Sequence, residues 1–155
     1  LICGPCGAGK TWVMKQFLSG LTTRKFKLGR FLFHESENII VVGKYDGSTF
    51  EGSDRLSMAV MGDIKAMLDY IKKAKKTALF EGDRFTNSKF IEKADPAILK
   101  ITDDGAKGRK LRGSNQTERH LKSIATRVRN INAHKEFSDS ESCLNYLKEI
   151  IVDYS

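Results

Sequence analysis

Leu1-Ile2-Cys3-Gly4-Pro5-Cys6-Gly7-Ala8-Gly9-Lys10-Thr11-Trp12-Val13-Met14 is the stretch that decides how the remaining residues are read. A short apolar run enters a glycine-rich turn, and the turn enters an amphipathic segment, Thr11 to Leu18, closed by Ser19-Gly20. The turn matches G-x-x-x-x-G-K-[ST] in full, in the strand–turn–helix context that gives the pattern its meaning. Glycine tolerates positive φ and close backbone approach. Gly4, Pro5, Cys6, Gly7, Ala8 and Gly9 are therefore expected to wrap phosphates with backbone N–H groups, at a helix N-terminus whose dipole favours anions. Lys10 is expected to reach the β and γ phosphates of ATP, and the Thr11 hydroxyl to bind Mg²⁺. A strand usually runs ~5 residues, so further residues are expected ahead of Leu1.

The same loop contains Cys3-Gly4-Pro5-Cys6, a thioredoxin-type C-x-x-C. The two readings exclude one another, because a disulfide would pinch the phosphate cradle shut. Gly7-Ala8-Gly9-Lys10-Thr11 has no role in a redox site and is required for a phosphate loop, so the redox reading is set aside. Three cysteines without framework spacing fit a reducing, intracellular setting.

Outward from the loop, Phe26 to His34 and Ile39 to Lys44 read as a strand pair, turned at Glu35-Ser36-Glu37-Asn38. Asp46 to Ser57 is polar. Val60, Ile64, Met67 or Leu68, and Ile71 recur at helical spacing, with Lys72 to Lys76 as the basic end. Thr77 to Phe80 reads as a strand running into Glu81-Gly82-Asp83-Arg84. A short helix is expected over Ser88 to Ala94 and a strand over Pro96 to Thr102. Asp103 to Gly113 reads as a mobile glycine-rich loop, and Thr117 to Ile131 as a helix. Ser138 and Glu141 form a capping box for a last helix with Leu144, Leu147 and Ile151 inward. Strands alternate with helices, which predicts one α/β domain over 1–155 with a mostly parallel sheet flanked by helices, and an antiparallel addition at one edge.

Charge is concentrated. Of a net charge of +8, Lys107, Arg109, Lys110, Arg112, Arg119, Lys122, Arg127 and Arg129 supply eight positive charges within one window opposed only by Glu118. Such a patch meets an anion or sits in water. No apolar run approaches the ~18 residues of a membrane helix. No Asn-Lys-x-Asp guanine reader is present, and no apolar strand ends in the Asp-Glu of motor-type ATPases. Glu81 and Asp83, at the end of a strand, are instead candidates to hold Mg²⁺ or to accept a proton from an acceptor hydroxyl. The bland alternative for them is a turn with a surface salt bridge.

The chain resembles the nucleoside and nucleotide kinase superfamily built on this phosphate loop, the adenylate- and shikimate-kinase-like proteins. It does so through Gly4 to Thr11, Gly52-Ser53-Asp54-Arg55-Leu56, Glu81-Gly82-Asp83-Arg84-Phe85 and the Arg112-Gly113-Ser114 to Asn130 block. Within that group it is most similar to phage 5-hydroxymethyluracil DNA kinases. The resemblance implies transfer of the ATP γ-phosphate to a hydroxyl, in the cytoplasm of a host cell. The acceptor would be the hydroxymethyl group of a modified base in DNA or, alternatively, a small nucleoside or nucleotide. It implies Asp54 or Asp83 as the base, with Lys10 as the phosphate ligand. Arg109 and Arg112 would close from a basic lid at roughly 103–116, hinged at Gly105, Gly108 and Gly113. Arg55, Arg84, Arg127 and Arg129 would bind substrate. Asp54 reads equally well as a helix N-cap with Arg55 exposed. Phe31, Phe33 or Tyr45 would stack on a base, against the alternative that they are core.

Overall fold

The computed structural model describes residues 1–47, 51–52 and 62–152. Its elements are β1 (Ile2–Cys3), α1 (Lys10–Ser19), β2 (Arg24–Leu28), β3 (Phe31–Glu35), β4 (Ile39–Val42), α2 (Ile64–Ala74), β5 (Thr77–Leu79), α3 (Ser88–Ala94), β6 (Leu99–Ile101), α4 (Ala106–Arg112), α5 (Glu118–Arg129), β7 (Lys135–Phe137) and α6 (Ser140–Val152). The chain is α/β, as its alternation predicts.

β1, β6 and β7 run parallel in the order β1-β6-β7, and β2 to β5 form a second ladder in sequence order. The two ladders meet beyond the end of β5. There Ile2 bridges Glu81 in parallel, with Ile2 N–H donating to Phe80 O at 2.8 Å and Gly82 N–H to Ile2 O at 3.1 Å. The resulting order is β2-β3-β4-β5-β1-β6-β7. The five strands from β4 to β7 are parallel, and β3 and β2 extend the edge antiparallel.

Burial explains the layers. All four residues of β4, Ile39-Ile40-Val41-Val42, are buried, as expected of a strand covered on both faces. Ile39 and Val41 join a core with Val13, Met14 and Phe17 of α1 and Leu144, Leu147 and Ile151 of α6. Ile40 and Val42 join the opposite core with Phe31, Phe33, Met67 of α2 and Phe90 of α3. Helices thus lie on both faces of the sheet.

Three expectations need correction, and one strand was not anticipated. The single strand expected over Phe26 to His34 is a hairpin broken at Gly29-Arg30. Gly29 takes φ 57° there, and a Cβ would strike Asp63 Oδ2 at 2.8 Å. Two-residue hairpin turns favour glycine for that backbone. The segment expected as a mobile loop contains α4, whose first and last turns are closed by Gly105 (φ 76°) and Gly113 (φ 60°). Helical periodicity was hidden because α4 buries no side chain. The cap of α6 falls at Asp139 rather than Ser138, since Asp139 Oδ1 accepts from Ser142 N–H at 2.7 Å. Finally, β7 is too short and polar, Lys-Glu-Phe, to show a pattern of its own. Its strand state comes from pairing with β6.

Candidate functional site

The order β5-β1-β6 places a switch point at β1: the chain leaves β1 toward one side of the sheet and returns later to the other. In open α/β sheets the crevice at such a point, outside the carboxyl ends of the strands, is where ligands bind. The loop Gly4 to Thr11 occupies it. Gly7 takes φ 86° and Gly9 φ 94°, left-handed conformations that L side chains resist. Space forbids a side chain as well: a Cβ on Gly9 would lie 2.7 Å from Ser140 Cβ, where α6 begins. Lys10, the first residue of α1, turns back over the loop, and its Nζ donates to Gly4 O at 2.9 Å and Pro5 O at 2.8 Å. The ammonium therefore sits on the concave side, with loop and helix N-terminus converging on one small volume.

Thr11 identifies its acidic partner. Its Oγ1 donates to Glu81 Oε1 at 3.1 Å, across seventy residues of sequence. Tyr45 OH donates to the same oxygen at 3.3 Å. Glu81 is only 2 % exposed. Gly52 makes room for it: a Cβ there would come within 1.8 Å of Glu81 Oε1, and Gly52 is held by paired backbone hydrogen bonds with Lys44. Neighbouring Glu51 is buried and meets Lys15 of α1 at 2.7 Å. A hydroxyl and a carboxylate side by side form an oxygen set that suits Mg²⁺, a cation that takes few protein ligands and completes its shell from water and phosphate. Among the described residues no cluster of three or more His, Cys, Asp or Glu converges as a metal cage.

Asp83 is placed differently. Its Oδ1 accepts from Arg127 Nη1 at 2.7 Å and from Thr86 Oγ1 at 3.2 Å. Asp83 thus ties α5 to the end of β5, and Glu81, not Asp83, is the acid beside Thr11. Arg84 is half-buried, and its Nε, buried, has no hydrogen-bond partner. Arg112 and Arg129 are exposed on α4 and α5. Asp54 and Arg55 lie outside the described residues.

Arg109 does not hang free over the loop. Its Nη1 donates to Cys6 O and to Asp104 O, both at 2.7 Å, so α4 is docked on the loop's outer wall. The contact is backbone against backbone. A Cβ on Gly7 would meet Gly105 O at 2.2 Å, one on Gly105 would meet Cys6 O at 1.9 Å, and one on Gly108 would meet Gly7 O at 2.1 Å. Gly105 and Gly108 therefore pack α4 rather than hinge it. Their spacing of three, one helical turn, was the signal available in the sequence. Glu81's companions Tyr45 and Gly52 carried no such signal. Between loop, α4 and α5 a cleft of about 260 Å³ is lined by Pro5, Cys6, Arg109, Leu121 and Lys122 among others.

The cysteines are free. Burial pushes the Cys3 thiol up, which is contrary to the depressed thiol of a redox Cys-x-x-C. Phe31, Phe33 and Tyr45, considered for base stacking, are 0 %, 1 % and 8 % exposed and belong to the core. No helix among the described residues is long and apolar enough to cross a membrane. Comparison of the chain with protein-family models, with curated proteins and with solved structures gives no match.

Proposed function

We propose that the chain is an ATP-dependent phosphotransferase of the phosphate-loop kinase type. The observation that carries the reading is the convergence at one switch point of the glycine loop, the Lys10 ammonium and the Thr11–Glu81 pair. Loop amides and Lys10 would hold the β and γ phosphates and orient the γ-phosphoryl group. Thr11 and Glu81 would hold Mg²⁺, which when bound offsets charge on the phosphate oxygens. A positioned carboxylate, Asp54 or Asp83, would accept the proton of the attacking hydroxyl. For Asp83 this requires release from Arg127. Arg109 would stiffen the loop from outside, and Arg112 would approach from the end of α4.

The acceptor we propose is a hydroxyl on a modified base in DNA, 5-hydroxymethyluracil being the one the resemblance implies. The breadth of the basic surface supports it: Lys107, Lys110, Arg112, Arg119, Lys122, Arg127 and Arg129 are all exposed along α4 and α5, more than one triphosphate needs. The second reading, a small-molecule nucleoside or nucleotide kinase, uses the same donor half.

The experiment offers γ-labelled ATP with free nucleosides, nucleotides, plain DNA and 5-hydroxymethyluracil-containing DNA. Label is expected on the modified DNA. Label on free nucleotides alone would exclude the DNA acceptor. Lys10→Ala should cut transfer by at least ~10³-fold with the fold intact by circular dichroism. Undiminished transfer in that variant would refute the reading.

A further inference from the structure

A second cavity lies apart from the glycine loop, on the antiparallel edge of the sheet. It holds about 310 Å³, and its lining includes Lys25, Lys27, Leu32, His34, Lys44 and Tyr45. The strand period explains its chemistry. Phe26 stacks on Phe33 at 4.9 Å and meets Tyr70 of α2 at 5.4 Å, on the α2 side of the sheet. Its neighbours Lys25 and Lys27 therefore project to the opposite face. They pair there with His34 and Leu32 of β3. No residue of β2 or β3 joins the α1–α6 core on that face. At the inner end stands Tyr45, packed edge-on to His34 at 5.6 Å, whose hydroxyl donates to Glu81 Oε1 at 3.3 Å. One residue thus lines the cavity and touches the carboxylate beside Thr11. The rim is cationic, with Asp46 the acid among the lining residues and already paired with Lys44 at 3.0 Å.

We propose that this cavity seats one nucleotide of a single-stranded DNA segment, its base against the wall formed by Leu32, His34 and Tyr45 and its flanking phosphates on Lys25 and Lys27. The inference rests on the phosphotransferase reading only for its direction, from cavity to Glu81. The volume is at the lower end of small-ligand sites and admits one base rather than two. Ringed side chains at the wall with cations at the rim are the composition of single-strand binding surfaces. The two lysines stand two residues apart on an extended strand, ~6.7 Å, a spacing comparable to that of successive phosphates in a stretched strand. This favours a strand over a free mononucleotide.

The test is fluorescence anisotropy of a labelled single-stranded oligonucleotide on the full chain, with no ATP present. The Lys25→Glu/Lys27→Glu variant keeps the charge that blunts a sheet edge against self-pairing and reverses the charge facing a phosphate. Its oligonucleotide affinity should fall at least tenfold at low salt. Its plot of log affinity against log salt should lose a slope of about 1.4, two single-strand phosphate contacts. Binding of a fluorescent ATP analogue should be unchanged. On the wild-type chain, an oligonucleotide carrying photoreactive 5-iodouracil should cross-link within residues 31–35 or 43–46. Wild-type affinity in the double variant, or cross-links confined to α4 and α5, would overturn the proposal. Equal affinity for a mononucleotide would overturn the strand assignment. The two readings fail separately: Lys10→Ala should lose transfer and keep oligonucleotide binding, and a chain that binds the oligonucleotide through Lys25 and Lys27 yet transfers no phosphate would refute the kinase and leave the cavity.

Discussion

Glu81 is the residue on which the proposed donor site turns. It is buried, accepts from Thr11 and Tyr45, and faces Gly52 at a distance no side chain could share. A buried carboxylate is costly unless hydrogen-bonded or near a cation, and its two hydroxyl donors meet the first condition. Replacing it with the isosteric Glu81→Gln keeps the shape and removes the charge. The expected outcome is a 10- to 100-fold higher Mg²⁺ requirement for transfer, of the order that support of a metal site commonly contributes. A Mg²⁺ titration of activity checks it, and an unchanged half-saturation would remove Glu81 from the metal site. Asp83 was an equal candidate on sequence. Two residues further along, it faces α5 and Arg127 instead.

At the scale of elements, α4 and the glycine loop form one unit through Gly7, Gly105 and Gly108. The contact reverses an ordinary rule. Gly→Ala inside a helix normally stabilises by about 1 kcal/mol. Gly108→Ala should instead destabilise by about 1–3 kcal/mol, because the new methyl would meet Gly7 O at 2.1 Å and force the helix off the loop. Urea unfolding together with nucleotide affinity would measure both effects, and a stabilised variant with unchanged affinity would show that α4 does not bear on the loop. The helix itself was illegible in the sequence because its one large apolar side chain, Leu111, is exposed. Helical periodicity reports a buried stripe, and α4 buries backbone instead.

The whole molecule joins its antiparallel edge to its parallel centre through Glu35. This carboxylate, 4 % exposed, accepts from Arg24 of β2 at 2.7 Å and from Tyr70 of α2 at 2.9 Å, and pairs with Lys76 just before β5 at 3.0 Å. Burial pushes its carboxyl up, but the hydrogen bonds from Lys76, Arg24 and Tyr70 together outweigh burial and leave it below its ordinary value. A carboxylate depressed in the folded state stabilises above its unfolded pKa, ~4.3, and loses that contribution as pH falls through the folded value, because the unfolded state binds more protons. Glu35→Gln should therefore cost about 1 kcal/mol at pH 7, with the gap to wild type closing below about pH 4. Denaturant unfolding from pH 3 to 7 reads this, and a gap independent of pH would show that the charge is not what matters. The charge map follows the same architecture: seven exposed cations on α4 and α5 at one side of the crevice, and Lys25 and Lys27 on the opposite edge of the sheet.

By itself the sequence determined what is local and periodic. Gly4 to Thr11 was legible as a tight glycine turn from strand into helix because Gly7 and Gly9 stand where the backbone takes positive φ. β4, α5 and α6 were legible because burial on two faces or one stripe writes a period into the chain. The tertiary structure alone decided what depends on register between distant segments. It put β5 rather than another strand beside β1, so that Glu81 and not Asp83 meets Thr11. It made Lys135–Phe137 a strand by pairing it with β6, and it brought Tyr45 from the cavity edge to the same carboxylate. These contacts span tens of residues, and no local spacing encodes which of several similar groups the strand order will bring together.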